Sequence, residues 1–255
     1  MLKNILIGIK GYVGSFQLIS KLNLWKYFIV PILISLVTAI LIGVSAYGLS
    51  DNIGSFITRL WKWEVGKEVV TTISNFIGGA IIVVFGFMLY KHIVMALSAP
   101  FMSPVSEKIE EYLTNNDTHS HRNTSFKQQL WRGIRINVRN LVKEILYTIP
   151  ILIIGFIPVI GIISTVLLFL IQAYYAGFGN IDYTLERHFN YKESIGFVRK
   201  HRGFAIGNGI VFMLFLLVPV LGVILVLPFS VTAASTKTIE ILKAENIIAL
   251  KKVEC

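Results

Sequence analysis

The chain has 255 residues, 55% of them hydrophobic and only 15% charged, with a mean hydropathy of +0.70. A water-soluble domain carries about 25% charged residues, so composition excludes an ordinary soluble globule and assigns the chain to a bilayer. The net charge of +10 fits the orienting excess of a membrane protein and not nucleic-acid binding. The only cysteine, Cys255, excludes an internal disulfide.

At the start of the chain, Lys3, Lys10 and Lys21 interrupt any signal-peptide core, and no small-residue cleavage site follows one. Leu2, Ile5, Leu6, Ile9, Val13, Phe16 and Ile19 recur at helical spacing. That pattern predicts an amphipathic N-terminal helix lying on the membrane surface, or a first helix packed on others.

Four stretches without a charged side chain follow: 28–47, 69–90, 145–181 and 203–236, of 20, 22, 37 and 34 residues. The first two suit full transmembrane helices, since about 20 residues cross the hydrocarbon core. A single helix of 37 residues would be about 55 Å long, too long for a core about 30 Å thick. The two longer stretches must fold back. Each holds an apolar-Pro-Val-apolar-Gly element, at Pro158 and Gly161 and again at Pro219 and Gly222, the prolines being 61 residues apart. Proline removes an amide donor and glycine loosens the backbone, so both stretches become helical hairpins with these residues at their tips. The ascending arms, 145–157 and 203–218, would be only about 20 and 24 Å long. This predicts hairpins that enter the membrane and turn back inside it, their tips lining a cavity or an oligomer interface. Two ordinary spans with a tight turn at the far surface are the alternative. The expected fold class is thus an all-α integral membrane protein in one membrane domain over 1–255, with helices in a cytoplasmic segment at 98–144.

The segments between these stretches carry net charges of +4 (1–27), 0 (48–68), +3 (91–144), +2 (182–202) and +1 (237–255). Two spans followed by two hairpins put every basic segment on one side, which the positive-inside rule makes the cytoplasm, with both termini there. The neutral loop, with Trp61 and Trp63 as interface anchors, faces out. In 98–144, Ser103 and Pro104 have the order of an N-cap and first helical residue, predicting a short helix to about Leu113. Ser125 and Gln128 have capping-box spacing, predicting a second helix to about Tyr147.

Along that second helix Arg132, Arg135, Arg139 and Lys143 form one stripe, opposite Leu130, Ile134, Val138, Leu141 and Ile145. The stripe suits an interfacial helix reaching lipid phosphates or a cationic vestibule that concentrates an anion. Lys26, at the mouth of the first span, is a snorkelling anchor or an anion contact near a helix start. Asp182 and Arg187 are expected as a structural ion pair. His119, His121 and Asp117 in a polar loop are too few for a metal site. No nucleophile elbow, phosphate-binding loop or dinucleotide fingerprint is present, so no cofactor, metal or enzymatic activity is implied. The uncharged stretches hold no carboxylate for a proton-coupled carrier.

Several segments together resemble the CysZ sulfate-permease family, grouped with the etoposide-induced-protein-like membrane domains. SAPFMSPVSEKIEEYL at 98–113 is similar to its A-P-F followed by an E-K-I/V-E helix. LWRGIRINVRNLVKEILYTIP at 130–150 is similar to its Arg-rich helix leading into the first hairpin. IDYTLERHFNYKESIGFVRKHRGFAIGNG at 181–209 and VPVLGVILVLPFSVTAAST at 218–236 resemble its D-Y-x-L-x-R to G-x-G series and its proline-spaced ending. The likeness runs from about Gly11 to Thr236. It implies two full spans, two half-penetrating hairpins, a homo-oligomer, and passive movement of sulfate across the bacterial inner membrane for cysteine synthesis. Where the family has a Gly-Leu-Arg sulfate-binding motif, this chain has Asn23, Leu24 and Trp25, then Lys26. The bidentate arginine fork is replaced by Trp25, and Lys26 supplies charge without that geometry. Two functions are expected from different classes: an anion permease, with Lys26, Arg132, Arg135 and Arg139 on its pathway, and a non-transporting membrane scaffold that binds partners.

Overall fold

A computed structural model describes residues 1–59, 67–115, 124–155, 157, 160–218 and 221–248. Among them the regular structure is all α: α1 Leu2–Lys10, α2 Ser15–Lys21, α3 Trp25–Arg59, α4 Lys67–Thr114, α5 Phe126–Gly155, α6 Ile160–His188, α7 Tyr191–Lys200, α8 Arg202–Leu216 and α9 Leu221–Ala244. Four contain segments long and apolar enough to cross a bilayer: Trp25–Ser45, Phe85–Thr114, Ile160–His188 and Gly222–Ala244. The protein is a multi-span membrane protein. Its outer surface carries aliphatic side chains that water would not tolerate in such number, among them Ile29, Leu33, Val37, Ile40, Leu41 and Val44 along one helix.

The N-terminal segment is two helices, broken where Gly14 takes a left-handed backbone (φ 83°). The packing bears out the alternative of a first helix packed on others. α1 is packed on α8 so closely that a Cβ on Gly8 would lie 2.4 Å from the Phe204 carbonyl oxygen. Ile19 of α2 is buried, yet Leu2, Leu6, Val13 and Phe16 stay exposed, giving the pair an outward apolar edge suited to a bilayer surface.

α4 corrects an expected boundary. Ser103 and Pro104 do not start a new helix: α4 runs through both Pro100 and Pro104. Each proline removes one intrahelical bond, but Ala99, Met102, Ser103 and Val105 are buried, and that packing outweighs the loss. The Ser103 carbonyl accepts from Ser106 Oγ at 2.9 Å and from Arg187 Nη1 at 3.3 Å, which ties α4 to α6 at this point.

α5 begins at the expected capping box, with Ser125 N donating to Gln128 Oε1 (3.0 Å) and Gln128 N to Ser125 Oγ (3.4 Å). Its amphipathic sense is the reverse of a soluble helix. The buried positions are Gly133, Ile136, Asn137, Asn140, Glu144 and Thr148, whereas Val138, Val142 and Leu146 are about half exposed. Polar groups pack inward because apolar ones can face lipid.

α5 with α6, and α8 with α9, form two helical hairpins. Pro158 and Pro219 fall outside the described residues. Gly161 and Gly222 lie in the first turns of α6 and α9, and neither has a positive φ. Backbone looseness is therefore not their contribution. A Cβ on Gly222 would sit 2.0 Å from the Phe215 carbonyl oxygen, and one on Gly161 would sit 2.8 Å from that of Gly155. These glycines let the two arms close. The amides of both still bond back across the tip, to Val218 O (2.8 Å) and Ile157 O (3.1 Å). α6 and α8 then cross at equally close range: a Cβ on Gly177 would meet the Ala205 carbonyl oxygen at 1.9 Å, and one on Gly209 that of Ala173 at 1.7 Å.

Candidate functional site

α4, α5 and α6 meet along a polar seam that the sequence patterns did not reveal. Lys91 Nζ donates to Glu144 Oε1 at 2.6 Å and to the Gln172 carbonyl at 3.1 Å. Lys91 and Glu144 are both completely buried. His92 bridges Glu144 Oε2 (2.9 Å, from Nε2) and Asn137 Oδ1 (3.1 Å, from Nδ1). Asn137 Nδ2 is committed to the Gly133 carbonyl at 2.9 Å. Ion pairs at this depth are tolerated only because each charge meets an opposite partner and further hydrogen bonds. Lys91 is the first residue after the stretch 69–90, and Glu144 the last before 145–181. Counting uncharged runs therefore placed both outside the core. The available signal was the spacing of Gly133, Asn137, Asn140, Glu144 and Thr148 on one face of α5. On the same three helices Ser98 Oγ, Asn140 Nδ2, Thr148 Oγ1 and Gln172 Oε1 are buried without a hydrogen-bond partner.

Further along the seam the expected Asp182–Arg187 pair gives way to two others. Residues five apart on a helix lie about 140° apart, so the two side chains leave α6 in different directions. Asp182 receives a two-pronged contact from Arg132, Nε to Oδ2 at 3.1 Å and Nη2 to Oδ1 at 3.0 Å. Arg187 donates to Glu110 at 2.7 Å and to Ser106 Oγ at 2.5 Å, and His188 bonds the same carboxylate at 3.0 Å. The Glu110 side of this cluster lies in the EKIEEYL segment, where no single residue stood out.

The arginine stripe splits into three environments. Arg132 is held by four hydrogen bonds: besides the two to Asp182 it donates to the Phe189 carbonyl (2.8 Å) and Ser194 Oγ (2.6 Å). Burial works against its charge, but the Asp182 carboxylate more than offsets this, so the guanidinium is held more firmly protonated than usual. Arg135 is exposed, with its guanidinium 4.0 Å from the Tyr191 ring centroid. Both arginines and Glu186 border a cavity of about 340 Å³ between α5 and the α6–α7 turn. Glu186 Oε1 has no partner there. Arg139 turns the other way, to Asn140 Oδ1 (2.7 Å) and to the Phe178 ring at 5.2 Å.

Lys26 is exposed in the first turn of α3, its Nζ 5.3 Å from the Tyr27 ring centroid. Trp25 does not face the arginine sites. It packs edge-on against Phe16 and Phe28, with centroids at 6.2 and 6.3 Å, and Phe16 stacks in turn on Phe229. An aromatic cluster therefore stands where the family motif carries its arginine. Trp61, Trp63, Asp117, His119 and His121 lie outside the described residues.

The family model for sulfate transporter CysZ/etoposide-induced protein 2.4 matches residues 12–227. Curated relatives from two strains of Pseudomonas aeruginosa, each named sulfate transporter CysZ, are 25% identical over 231 residues, covering 88% of this chain and 91% of theirs. A Pseudomonas paraeruginosa protein of the same name is 24% identical over the same span. All three are named as transporters, not as enzymes. With the family match covering most of the chain, and the polar seam and hairpins built from the segments that carry it, this protein belongs to the sulfate transporter CysZ/etoposide-induced protein 2.4 family.

Proposed function

We propose that the protein is an oxyanion permease of the bacterial plasma membrane, with sulfate its leading substrate and sulfur assimilation into cysteine its purpose. It works as a homo-oligomer with both termini in the cytoplasm, and its two hairpins re-enter the membrane rather than span it. The observation that carries this is the near-complete overlap with relatives named sulfate transporter CysZ. A polar seam inside an otherwise apolar bundle supports it, because buried polar groups without partners offer an ion substitutes for its water shell. Arg135, exposed beside a polar cavity, is the first contact for the anion. Lys26 adds charge at the mouth of α3, and Arg139 extends the positive field. Arg132, held by Asp182, the Phe189 carbonyl and Ser194, acts as a positioning residue that fixes α5 on α6. No catalytic step falls to any of them. Reconstituted protein should take up labelled sulfate faster than protein-free vesicles. Rates equal to protein-free vesicles for sulfate and other oxyanions alike would refute the proposal.

A scaffold without transport is the second reading, and Trp25 favours it: a tryptophan buttressed by Phe16 and Phe28 cannot fork an oxyanion. Stable co-purification of a partner, with no ion conductance from pure protein, would support it.

A further inference from the structure

The cavity between α5 and the α6–α7 turn is lined by one charged group of each sign that the fold leaves uncommitted. At about 340 Å³ it stands at the small end of ligand pockets. Its neutral polar side chains serve the helix starts around it. Gln128 Oε1 accepts from Ser125 N at 3.0 Å, Gln129 Nε2 donates to Thr124 Oγ1 at 3.1 Å, and Asn190 Oδ1 accepts from Lys192 N at 2.9 Å. Arg132 is paired with Asp182, and Arg187 on the same helix as Glu186 is paired with Glu110. Two charged groups remain. The Arg135 guanidinium lies 4.0 Å from the Tyr191 ring centroid, a cation–π contact that leaves its N–H donors for other acceptors. Among the described residues Arg135 has no ion pair. Glu186 lines the same cavity, is 3% exposed, and its Oε1 has no hydrogen-bond partner. A turn about its soft terminal torsion presents either oxygen to the cavity. A buried carboxylate oxygen without a donor is costly, and a donor entering the cavity relieves that cost.

We propose that this cavity binds a small free α-amino acid as a zwitterion, its carboxylate on Arg135 and its ammonium on Glu186. Charge balance selects the class. A simple anion held here would meet Arg135 but set a second negative charge beside the unpartnered Glu186 oxygen. A simple cation would meet Glu186 but share the cavity with Arg132 and Arg135. A zwitterion answers both open charges and adds no net charge to a confined site. The guanidinium fork matches a carboxylate edge to edge. Trp131 and Tyr191 in the cavity wall offer apolar surface to the ligand's side chain. Binding here does not depend on transport.

The test uses the full-length protein in detergent and isothermal titration calorimetry. Glycine, L-serine and L-leucine are the probes, spanning no side chain, a polar one and an apolar one. Ethanolamine and glycolate serve as the two halves of a zwitterion, one carrying only the ammonium and the other only the carboxylate. The expected result is saturable binding of at least one amino acid, with ethanolamine and glycolate roughly tenfold or more weaker. Arg135→Gln and Glu186→Gln should each weaken the amino acid by a similar factor, while Arg139→Gln, whose side chain turns away from the cavity, should bind like the wild type. Should Glu186→Gln elute differently from the wild type, Arg135→Gln and the two half-ligands decide. No binding of any amino acid overturns the proposal. So does glycolate or ethanolamine binding as tightly as the amino acid, or wild-type affinity in either the Arg135→Gln or the Glu186→Gln variant.

Discussion

Residues of one type do different work here according to their partners. Arg132 and Arg135 stand three apart on one helix, yet the first is held by four hydrogen bonds and the second is exposed against an aromatic ring. Removing a side chain from a mostly buried ion pair strands its partner at a cost of roughly 3 kcal/mol, whereas a surface change costs within about 0.5 kcal/mol. Arg132→Ala should therefore lower thermal stability clearly, while Arg135→Ala should leave the melting temperature nearly unchanged. Denaturation of both variants in the same detergent checks this, and equal losses would contradict it. At the fully buried pair, Glu144→Gln leaves the Lys91 charge without its counter-ion and should cost about 3–5 kcal/mol. A Lys91→Met/Glu144→Leu double variant should recover much of that loss, since it removes both charges together. A double variant as unstable as Glu144→Gln would mean that the charges themselves hold the seam. The sequence could nominate Arg132, Arg135 and Arg139 by spacing, but spacing does not say which guanidinium finds a carboxylate. Asp182 had to be placed across the helix interface before Arg132, and not Arg187, became its partner.

Elements were more legible than contacts. Uncharged run length anticipated an all-α fold with several long apolar helices, because the bilayer's thickness acts on the sequence directly, though among the described residues the apolar segment of α4 is Phe85–Thr114 and not 69–90. The capping box at Ser125 and Gln128 placed the start of α5. The helix expected to start at Ser103 failed for a tertiary reason, since a proline ends a helix only where packing does not hold it. The glycines show the same limit. Sequence suggests flexibility at Gly161 and Gly222, but the structure uses the missing Cβ to bring backbones together, as at Gly177 and Gly209. Gly177→Val should therefore disrupt the α6–α8 crossing, costing about 1–3 kcal/mol or more through overpacking. A Cβ on Gly196 meets nothing within 4 Å, so Gly196→Ala should be tolerated and serves as the control. Equal thermal stability of the two variants would contradict the close crossing.

For the whole molecule, solvent decides which face of each helix is inside. In water, α5 would bury Val138 and Val142 and expose Asn137, Asn140 and Glu144; in this protein the reverse holds. That inversion gives an apolar bundle a buried polar seam, which the proposed permease would use as the route by which an ion crosses what lipid forbids. The measurement that tests this most directly is labelled sulfate flux into proteoliposomes, wild type beside Lys26→Ala and Arg135→Ala. The proposed mechanism predicts uptake by the wild type above protein-free vesicles, and a severalfold fall in Arg135→Ala with the oligomer intact. A well-folded wild-type oligomer that passes no sulfate, or flux indifferent to both substitutions, would contradict it.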